Sequence, residues 1–311
     1  MNTNTFVESA AREGFCAAQA ELAERIARLT PSDGVHDTAV NSLQLIRMSA
    51  PTPCQPTLYE PRLCIVAQGS KVAMLAGETY RYDPLNYLVV SVTLPMIGQV
   101  IEATPEQPYL CLRLDIDPEQ IAALILEAGP RAPSPGLDLG LYAARVNAPL
   151  LDAVLRLMRL LETPQDLPVL APIALREIHY RVLVGDLGHR LCDLAMADSR
   201  PHRIARAVEL LRQRYLLPLS IEELAQSVHM STSSLHHQFK AVTTMSPLQF
   251  QKQLRLHEAR RLMLMDGIEA VAAAHKVGYE SPSQFSREYK RLFGAPPRSE
   301  IELVRSNARL A

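Results

Sequence analysis

The sequence predicts an α+β protein whose first part is mainly β and whose last third is entirely helical. Between about residues 40 and 117, short apolar runs alternate with turn residues such as Gly69, Gly77 and the Asp83-Pro84 pair, which is typical of strands. Before and after this region the apolar residues recur every three to four positions, as they do in helices. The excess of basic residues lies in the last third. These observations predict two domains, residues 1–196 and 203–300, joined by a polar linker at 196–202.

Length and composition limit the class of protein. A chain of 311 residues is long enough for about two domains. No apolar run approaches the ~18–20 residues of a membrane helix, and the N-terminus lacks the features of a signal peptide. We therefore expect a cytoplasmic protein without a membrane partner. The five cysteines are scattered and form no C-x-x-C pair, so they predict neither disulfides nor a zinc site.

The β-rich region is predicted to be a small antiparallel barrel or sandwich. Its strands are short and evenly spaced; they are RLCIVAQG, KVAMLAGETYRYD, NYLVVSV, MIGQVIEA and YLCLRLDID. Tyr80, Tyr82 and Tyr87 belong to this region and either line a pocket or fill the core.

Helices are predicted on both sides of the β region. The first covers about residues 5 to 30, and another opens at Pro118 and closes on Gly129. Two amphipathic helices follow at 150–162 and 172–184. Each either packs into the core or pairs with its copy in a homodimer.

Charge is distributed unevenly between the two parts. From Pro201 onward there are 16 Lys and Arg against 10 Asp and Glu, a balance of +6, whereas the first 200 residues have a balance of −7. A basic domain on an acidic remainder points to a polyanionic partner, although a solvated surface gives the same excess.

The stretch SIEELAQSVHMSTSSLHHQFK predicts a helix-turn-helix unit. Ser220 followed by Glu223 forms a capping-box pattern, and a turn near His229 separates this helix from a second one capped by Ser231 or Thr232. Leu235 and Phe239 face the core. The opposite face carries Ser233, His236, His237 and Lys240.

A second unit repeats this pattern about 50 residues later in GIEAVAAAHKVGYESPSQFSREYKRLFG. Ser281 caps its second helix and Pro282 begins it. Phe285 and Tyr289 take the core positions. The outward residues are Ser283, Gln284, Ser286, Arg287 and Lys290. One long helix, SPLQFQKQLRLHEARRLML, joins the two units and fixes them rigidly.

The paired histidines invite a metal-binding interpretation, which the spacing disfavours. Neighbouring residues on a helix point about 100° apart, and neither His236 nor His237 has a histidine four positions away. One alternative is plain solvated surface. The other, which we favour, places both histidines on a face that reads DNA; no metal and no cofactor is expected.

The last hundred or so residues resemble the DNA-binding domain of the AraC/XylS family of bacterial transcription regulators. The resemblance is carried by LSIEELAQSVHMSTSSLHHQFK, by SPLQFQKQLRLHEARRLM and, most specifically, by VAAAHKVGYESPSQFSREYKRLFGAPP. His237 departs from the pattern, since the family often has Arg there. Upstream, YEPRLCIVAQGSKVAMLAGETYRYD and the stretch from YLVVSV to LRLDID resemble the cupin-like N-terminal domain of one subfamily.

This resemblance implies a cupin-like β-barrel with flanking helices, followed by an all-α domain with two helix-turn-helix units joined by a long helix. It also implies a regulator that binds double-stranded promoter DNA. The barrel would sense an unknown small-molecule effector, mediate a homodimer, or both. RNA polymerase is a further partner that such a role admits.

Two rival classes are an enzyme housed in the barrel and a protein-interaction adaptor. A metal-dependent cupin enzyme is disfavoured because no histidine occurs between His36 and His179. The sequence contains no G-x-S-x-G, P-loop or G-x-G-x-x-G motif, so we expect no enzymatic activity. Cys64 or Cys111 could act as a redox- or electrophile-sensitive thiol, but an apolar-flanked strand cysteine is usually an inert core residue.

Overall fold

The computed structural model describes residues 3–129, 139–186, 188–195 and 199–310. It confirms an α+β protein with an N-terminal β-domain flanked by helices and a C-terminal all-helical domain. No helix in these ranges is long and apolar enough to span a membrane.

Ten strands and a preceding helix make up most of the N-terminal part. Helix α1 is Thr3–Leu29. The strands are β1 Gly34–Asp37, β2 Leu43–Met48, β3 Gln55–Tyr59, β4 Arg62–Gln68, β5 Ser70–Leu75, β6 Glu78–Tyr82, β7 Asn86–Val90, β8 Leu94–Glu102, β9 Tyr109–Asp115 and β10 Leu141–Arg145. The five predicted runs correspond to β4, β5 with β6, β7, β8 and β9. Strands β1, β2, β3 and β10 were not predicted, because they are short or mix polar and apolar residues.

The strands form two antiparallel sheets that face each other. Their orders are β1-β2-β9-β4-β7-β10 and β3-β8-β5-β6. The central strands β4 and β9 alternate between two cores, since successive strand residues point to opposite faces. Leu63 and Ile65 join the core under the helices, whereas Cys64 and Val66 join the core between the sheets. This alternation decides which side chains enter the barrel.

Helices cover the outer face of the six-stranded sheet. They are α2 Pro118–Ala128, α3 Ala148–Leu160, α4 Leu167–Leu183 and α5 Gly188–Ala195. As predicted, α2 starts at Pro118 and ends at Gly129, whose φ of 85° suits glycine. The Asp117 carboxylate accepts hydrogen bonds from the first-turn backbone, which satisfies donors that the helix leaves free.

The C-terminal part is a succession of seven helices. They are α6 Arg200–Gln213, α7 Ile221–Ser227, α8 Thr232–Thr243, α9 Pro247–Met265, α10 Ala270–Lys276, α11 Pro282–Phe293 and α12 Pro297–Leu310. Ser199 caps α6, so this helix begins inside the predicted linker, of which residues 196–198 lie outside the described ranges. Helix α12 continues beyond residue 300, where the sequence-based boundary was placed.

The two parts are packed together through α6 and the first helix-turn-helix unit. Ile204 and Leu211 of α6 belong to the same buried cluster as Val92 and Leu94 of the barrel. The Arg212 side chain donates hydrogen bonds to Glu60 at 3.0 Å and to Thr93 at 3.4 Å. The two parts of the chain therefore share a core.

Candidate nucleic-acid interface

The second helix of the first unit, α8, begins and packs as its sequence predicts. The Ser231 hydroxyl accepts a hydrogen bond from the Ser234 N–H at 3.2 Å. Leu235 and Phe239 are fully buried, and the Phe239 ring meets Phe250 of α9 edge-on at 5.5 Å between centroids. The burial of these two residues fixes which face of α8 points outward.

The outward face of α8 carries all four residues assigned to it from the sequence. Ser233, His236, His237 and Lys240 are exposed. One detail of the preceding helix was wrong: Ser220 caps α7 through the Glu223 N–H, but Glu223 makes no return bond in the described contacts. A complete capping box instead occurs at Ser246 and Gln249, where the long helix α9 begins.

The second unit presents α11 in the same way. Ser281 caps the helix and Pro282 occupies its first turn, while Phe285 and Tyr289 are buried. The five residues assigned to its outer face are all exposed; they are Ser283, Gln284, Ser286, Arg287 and Lys290. The Gln284 amide donates to the Glu288 carboxylate at 3.1 Å, so this side chain is partly engaged within the helix.

The cations on these two faces are available to a partner. Within the described residues, Lys240, Arg287 and Lys290 have no acidic side chain at ion-pair distance. Phosphate oxygens pair readily with such side chains, and Arg can also bind a guanine edge through two hydrogen bonds. The side chains of Ser233, Ser283 and Ser286 are short, so the backbone of each helix can come close to a partner such as a DNA groove.

Another arginine, Arg255 of α9, connects the two units and was not singled out by the sequence. Its guanidinium donates to the Tyr215 carbonyl at 2.7 Å and to the Gly278 carbonyl at 3.0 Å, and it also reaches the carbonyls of Leu216 and Leu217. It thereby joins the loop after α6 to the turn of the second unit. No periodicity or motif could have separated this structural arginine from the surface cations.

A buried polar network further stabilises the second unit. The Arg260 guanidinium donates to the Glu300 carboxylate at 2.6 Å, and the Tyr289 hydroxyl donates to the other oxygen of that carboxylate at 2.8 Å. Glu300 is almost fully buried. Helix α12 is therefore part of the second unit.

The two histidines of α8 lie side by side on the surface. Neither makes a hydrogen bond in the described part of the chain. In that same part, no group of three or more His, Cys, Asp and Glu side chains is placed to hold a metal ion.

The N-terminal domain contains a cavity of about 350 Å³ between its two sheets. Tyr82, Cys64 and Cys111 are among its lining residues. Tyr87 instead points to the helices on the outer face, and Tyr80 packs against the barrel core from its edge. Of the three tyrosines left open by the sequence, Tyr82 is the one that lines this cavity.

A barrel with flanking helices joined to two linked helix-turn-helix units defines a two-domain helix-turn-helix protein. Residues 39–190 match the family model described as AraC-type transcriptional regulator N-terminus, and residues 224–300 match the model described as a helix-turn-helix domain. The chain belongs to the AraC family of transcriptional regulators.

Known transcription regulators are similar to parts of this chain. The regulator ArgR of Pseudomonas aeruginosa is 30% identical over 105 residues, which is 34% of this chain and 32% of that protein. The transcriptional activator RhaS of Yersinia pestis is 27% identical over 161 residues, 51% of this chain and 59% of its own length. The matches thus span from about a third to three fifths of these relatives.

The fold as a whole has a counterpart among solved structures. The apo form of a ToxT variant from Vibrio cholerae superimposes with a TM-score of 0.57 at 10% identity, covering 85% of this chain and 98% of that one. At this identity the likeness concerns the fold alone.

Proposed function

We propose that this protein is a transcription regulator that binds promoter DNA with both helix-turn-helix units. The observation that carries the proposal is the matched pair of helices α8 and α11. Each has a buried phenylalanine and further buried residues on one side and exposed polar and cationic residues on the other. Two such helices on one rigid spacer suit successive major grooves, which lie about 34 Å apart along one face of B-DNA. This role implies a cytoplasmic protein.

The exposed residues divide by chemistry into two roles. Ser233, His236 and His237 would approach base edges in one groove. In the next groove the same role falls to Ser283, Gln284, Ser286 and Arg287. Lys240 and Lys290 would neutralise phosphates, because an ammonium is a point charge without the planar geometry that reads a base.

The barrel would modulate this binding through a small effector in its cavity. RNA polymerase is a candidate partner at the promoter. Membership of a family of regulators supports a non-enzymatic role. A metal-free enzyme and a protein-interaction adaptor are the alternatives, and a DNA-binding measurement separates both from the regulator.

A homodimer through one of the amphipathic helices would use α4. Helix α3 is less suited to that role because its apolar face, including Leu151 and Leu155, is buried in the core. On α4, Val169 and Ile173 remain 68% and 60% exposed and lie four residues apart on one face. Sedimentation of Ile173→Glu against the wild type tests this: an unchanged dimer would rule out α4.

The decisive experiment is a salt titration of DNA binding by the full-length protein. The probes are the promoter fragment upstream of its own gene and a scrambled fragment of equal length. Preference for the promoter, with affinity that falls steeply as salt rises, is the expected result. A control variant, Lys276→Met, removes an exposed lysine outside both outward faces and should keep the preference. Equal, salt-insensitive affinity for both fragments would instead favour the adaptor.

A further inference from the structure

The barrel cavity is rich in positive charge although it lies between two sheets. Arg62 of β4, Lys71 of β5 and Arg113 of β9 all line it. Arg62 and Arg113 alternate along their strands with the residues that face the outer core, so the strand pleat places them on the inner side. No aspartate or glutamate is among the lining residues.

These three cations are only partly compensated. Arg62 pairs with Glu60 at 2.6 Å and lies 3.9 Å from Asp115. Arg113 donates to the neutral side chain of Gln44 at 3.0 Å. Burial and repulsion from Arg62 lower the pKa of Arg113. Three positive charges against two carboxylates leave at least one charge without a counterion.

Lys71 has the Tyr59 hydroxyl as a polar neighbour but no carboxylate partner. In the described residues, no carboxylate lies at ion-pair distance from its ammonium. The Lys71 Nζ instead lies 5.4 Å from the centre of the Tyr59 ring. Burial lowers the pKa of Lys71, but the Tyr59 hydroxyl and the thiols of Cys64 and Cys111 raise it by more, so the ammonium stays charged.

The site around Lys71 is built rather than incidental. A Cβ atom at Gly98 would lie 2.1 Å from the Tyr59 hydroxyl oxygen and 3.4 Å from Lys71 Cε. A side chain at this position would therefore displace the Tyr59 ring from its place beside Lys71, whereas the Lys71 distance is an ordinary contact. The remaining lining is largely apolar and aromatic, with Ile46, Met48, Tyr82 and Tyr109 among it.

We propose that this cavity binds a small organic monocarboxylate, whose charge pairs with the Lys71 ammonium and whose apolar body packs against the aromatic lining. The proposal rests on the effector role given to the barrel under the proposed function and names the chemical class of that effector. A volume of about 350 Å³ suits a small molecule. An anionic ligand can form a charge-assisted hydrogen bond with the Lys71 ammonium, which is stronger than the bond that a neutral ligand of the same shape can form.

The neighbouring thiols give the same indication of positive potential. The pKa of Cys64 is lowered to about 7 by a hydrogen bond with Cys111 and then by Lys71, Arg62 and Arg113. Burial raises the pKa of Cys111. All three cations thus lower the pKa of the same thiol. They create a positive potential around Cys64, and an anion would be stabilised there.

The position of the cavity relates it to the DNA-binding domain. Strand β3 contributes Gln55, Thr57 and Tyr59 to the lining. The same strand lies beside helices α9 and α11 of the second unit. A ligand that moves Tyr59 would therefore act on an element that touches the second unit.

The test is binding of a fixed panel to the full-length protein without DNA, measured by calorimetry and thermal shift in chloride-poor buffer. The panel contains linear acids from butyrate to octanoate together with benzoate and cinnamate, each matched with its primary amide. We expect at least one acid to bind and its amide to bind at least about tenfold more weakly. Lys71→Met should abolish the preference, while the matched surface variant Lys276→Met should keep it.

A second measurement, without ligand, checks that the variant folds. Lys71→Met should keep the circular dichroism of wild type and one cooperative unfolding transition, so that its loss of acid binding reports the missing charge. The proposal is overturned if no acid binds, if acids and amides bind equally, if inorganic phosphate or chloride competes as well as the best acid, or if folded Lys71→Met keeps the preference for the acid. Promoter binding, assayed separately, can persist in all of these cases.

Discussion

The two helix-turn-helix units share their order of elements but differ in what surrounds them. The core of the first unit, with Leu235, Phe239 and Phe250, is continuous with the interior of the barrel. The second unit has a separate core built on Ala274, Phe285 and Tyr289. The first unit is therefore stabilised by the barrel, and the second mainly by its own packing.

The connections to the barrel differ accordingly. The Gly140 N–H, just before β10, donates to the Val242 carbonyl at the end of α8 at 3.1 Å. A Cβ at Gly140 would lie 2.6 Å from a methyl of Val92, so a larger residue there would disturb the barrel beside this contact. The second unit is held to α9 by polar bonds such as Lys252 to Glu288 at 2.7 Å. A change in the barrel should reach the two recognition helices by different routes.

The largest expected effect comes from removing one core aromatic in each unit. Phe239→Ala and Phe285→Ala should each cost about 3–5 kcal/mol, because both rings are fully buried. Phe239→Ala should lower the unfolding temperature of the barrel as well. Phe285→Ala should unfold the second unit alone. Calorimetry combined with hydrogen exchange shows whether the barrel and the second unit unfold in one transition or in two.

The exposed residue Leu248 supplies the control for this pair, since Leu248→Ala removes apolar atoms that are largely outside either core. It should change stability little. A Phe285→Ala variant whose barrel unfolds earlier by as much as that of Phe239→Ala would show that the two units form one cooperative body.

A pH dependence should follow from His257, which lies in the second unit. Burial, and then the charge of Arg260, lower the pKa of this histidine to about 3. Its Nε2 is buried without a hydrogen bond in the described structure, and its ring meets Phe293 at 5.3 Å. The unfolded chain, with a histidine pKa of about 6.5, therefore takes up a proton that the folded unit does not.

Stability should consequently fall as the pH drops below about 6.5, by roughly 2 kcal/mol between pH 7 and pH 5. His257→Gln should remove this part of the slope, while His275→Gln, at an exposed site on α10, should leave it unchanged. Urea unfolding at a series of pH values measures the difference. His179 is also buried in the N-terminal domain with a lowered pKa, so only the difference between variants and wild type is informative. If the free energy of unfolding depends on pH with the same slope in wild type and His257→Gln, His257 is not the source of this pH dependence.

The sequence predicted local structure better in the helical domain than in the barrel. Ser231, Ser246 and Ser281 cap the helices predicted for them, and Phe239 and Phe285 are buried as expected. These features depend on residues within a few positions of each other. Strands β3 and β10 were not predicted because they depend on partners far along the chain, β8 and β7 respectively. Strand β1 pairs with its neighbour β2 but has only four residues.

The candidate sites show the same contrast. The outward faces of α8 and α11 follow from helical periodicity, so each of their assigned residues was found exposed. The charged cavity combines Arg62, Lys71 and Arg113 from three strands. The pairing of β4 with β9 brings the two arginines together, and the packing of the second sheet against the first adds Lys71. Arg255 is a similar case, because its carbonyl partners come from two separate loops.

A smaller effect should distinguish the two units on DNA. If Arg287 reads a guanine, Arg287→Ala should cost about 1–3 kcal/mol on the promoter and relax the preference at one base pair. Lys240→Ala should weaken binding to promoter and scrambled DNA alike and reduce the salt slope by about one. Competition with single-base variants of the bound site measures both. Equal losses on both fragments would make Arg287 a phosphate contact.

The smallest expected effect concerns the turn between the two helices of each unit, because the two turns differ at one position. His229 in the first unit and Gly278 in the second both have positive φ, 54° and 83° respectively. The next N–H in each turn donates to an equivalent carbonyl, Met230 to Ala225 and Tyr279 to Ala274. The first unit therefore places a histidine where the left-handed conformation favours glycine.

His229→Gly should raise the free energy of unfolding by about 0.5–1 kcal/mol, since relief of the left-handed strain exceeds the extra freedom of glycine in the unfolded chain. Gly278→Ala should lower it by at least about 1 kcal/mol, because its Cβ would also lie 3.2 Å from Arg255 Cζ. Chemical denaturation of both variants gives the two values. A loss of stability in His229→Gly would mean that contacts of the imidazole stabilise the first unit by more than the left-handed conformation destabilises it. In that case the turn would add to the stability of the first unit, and the two units would differ in their turns as well as in their buried clusters.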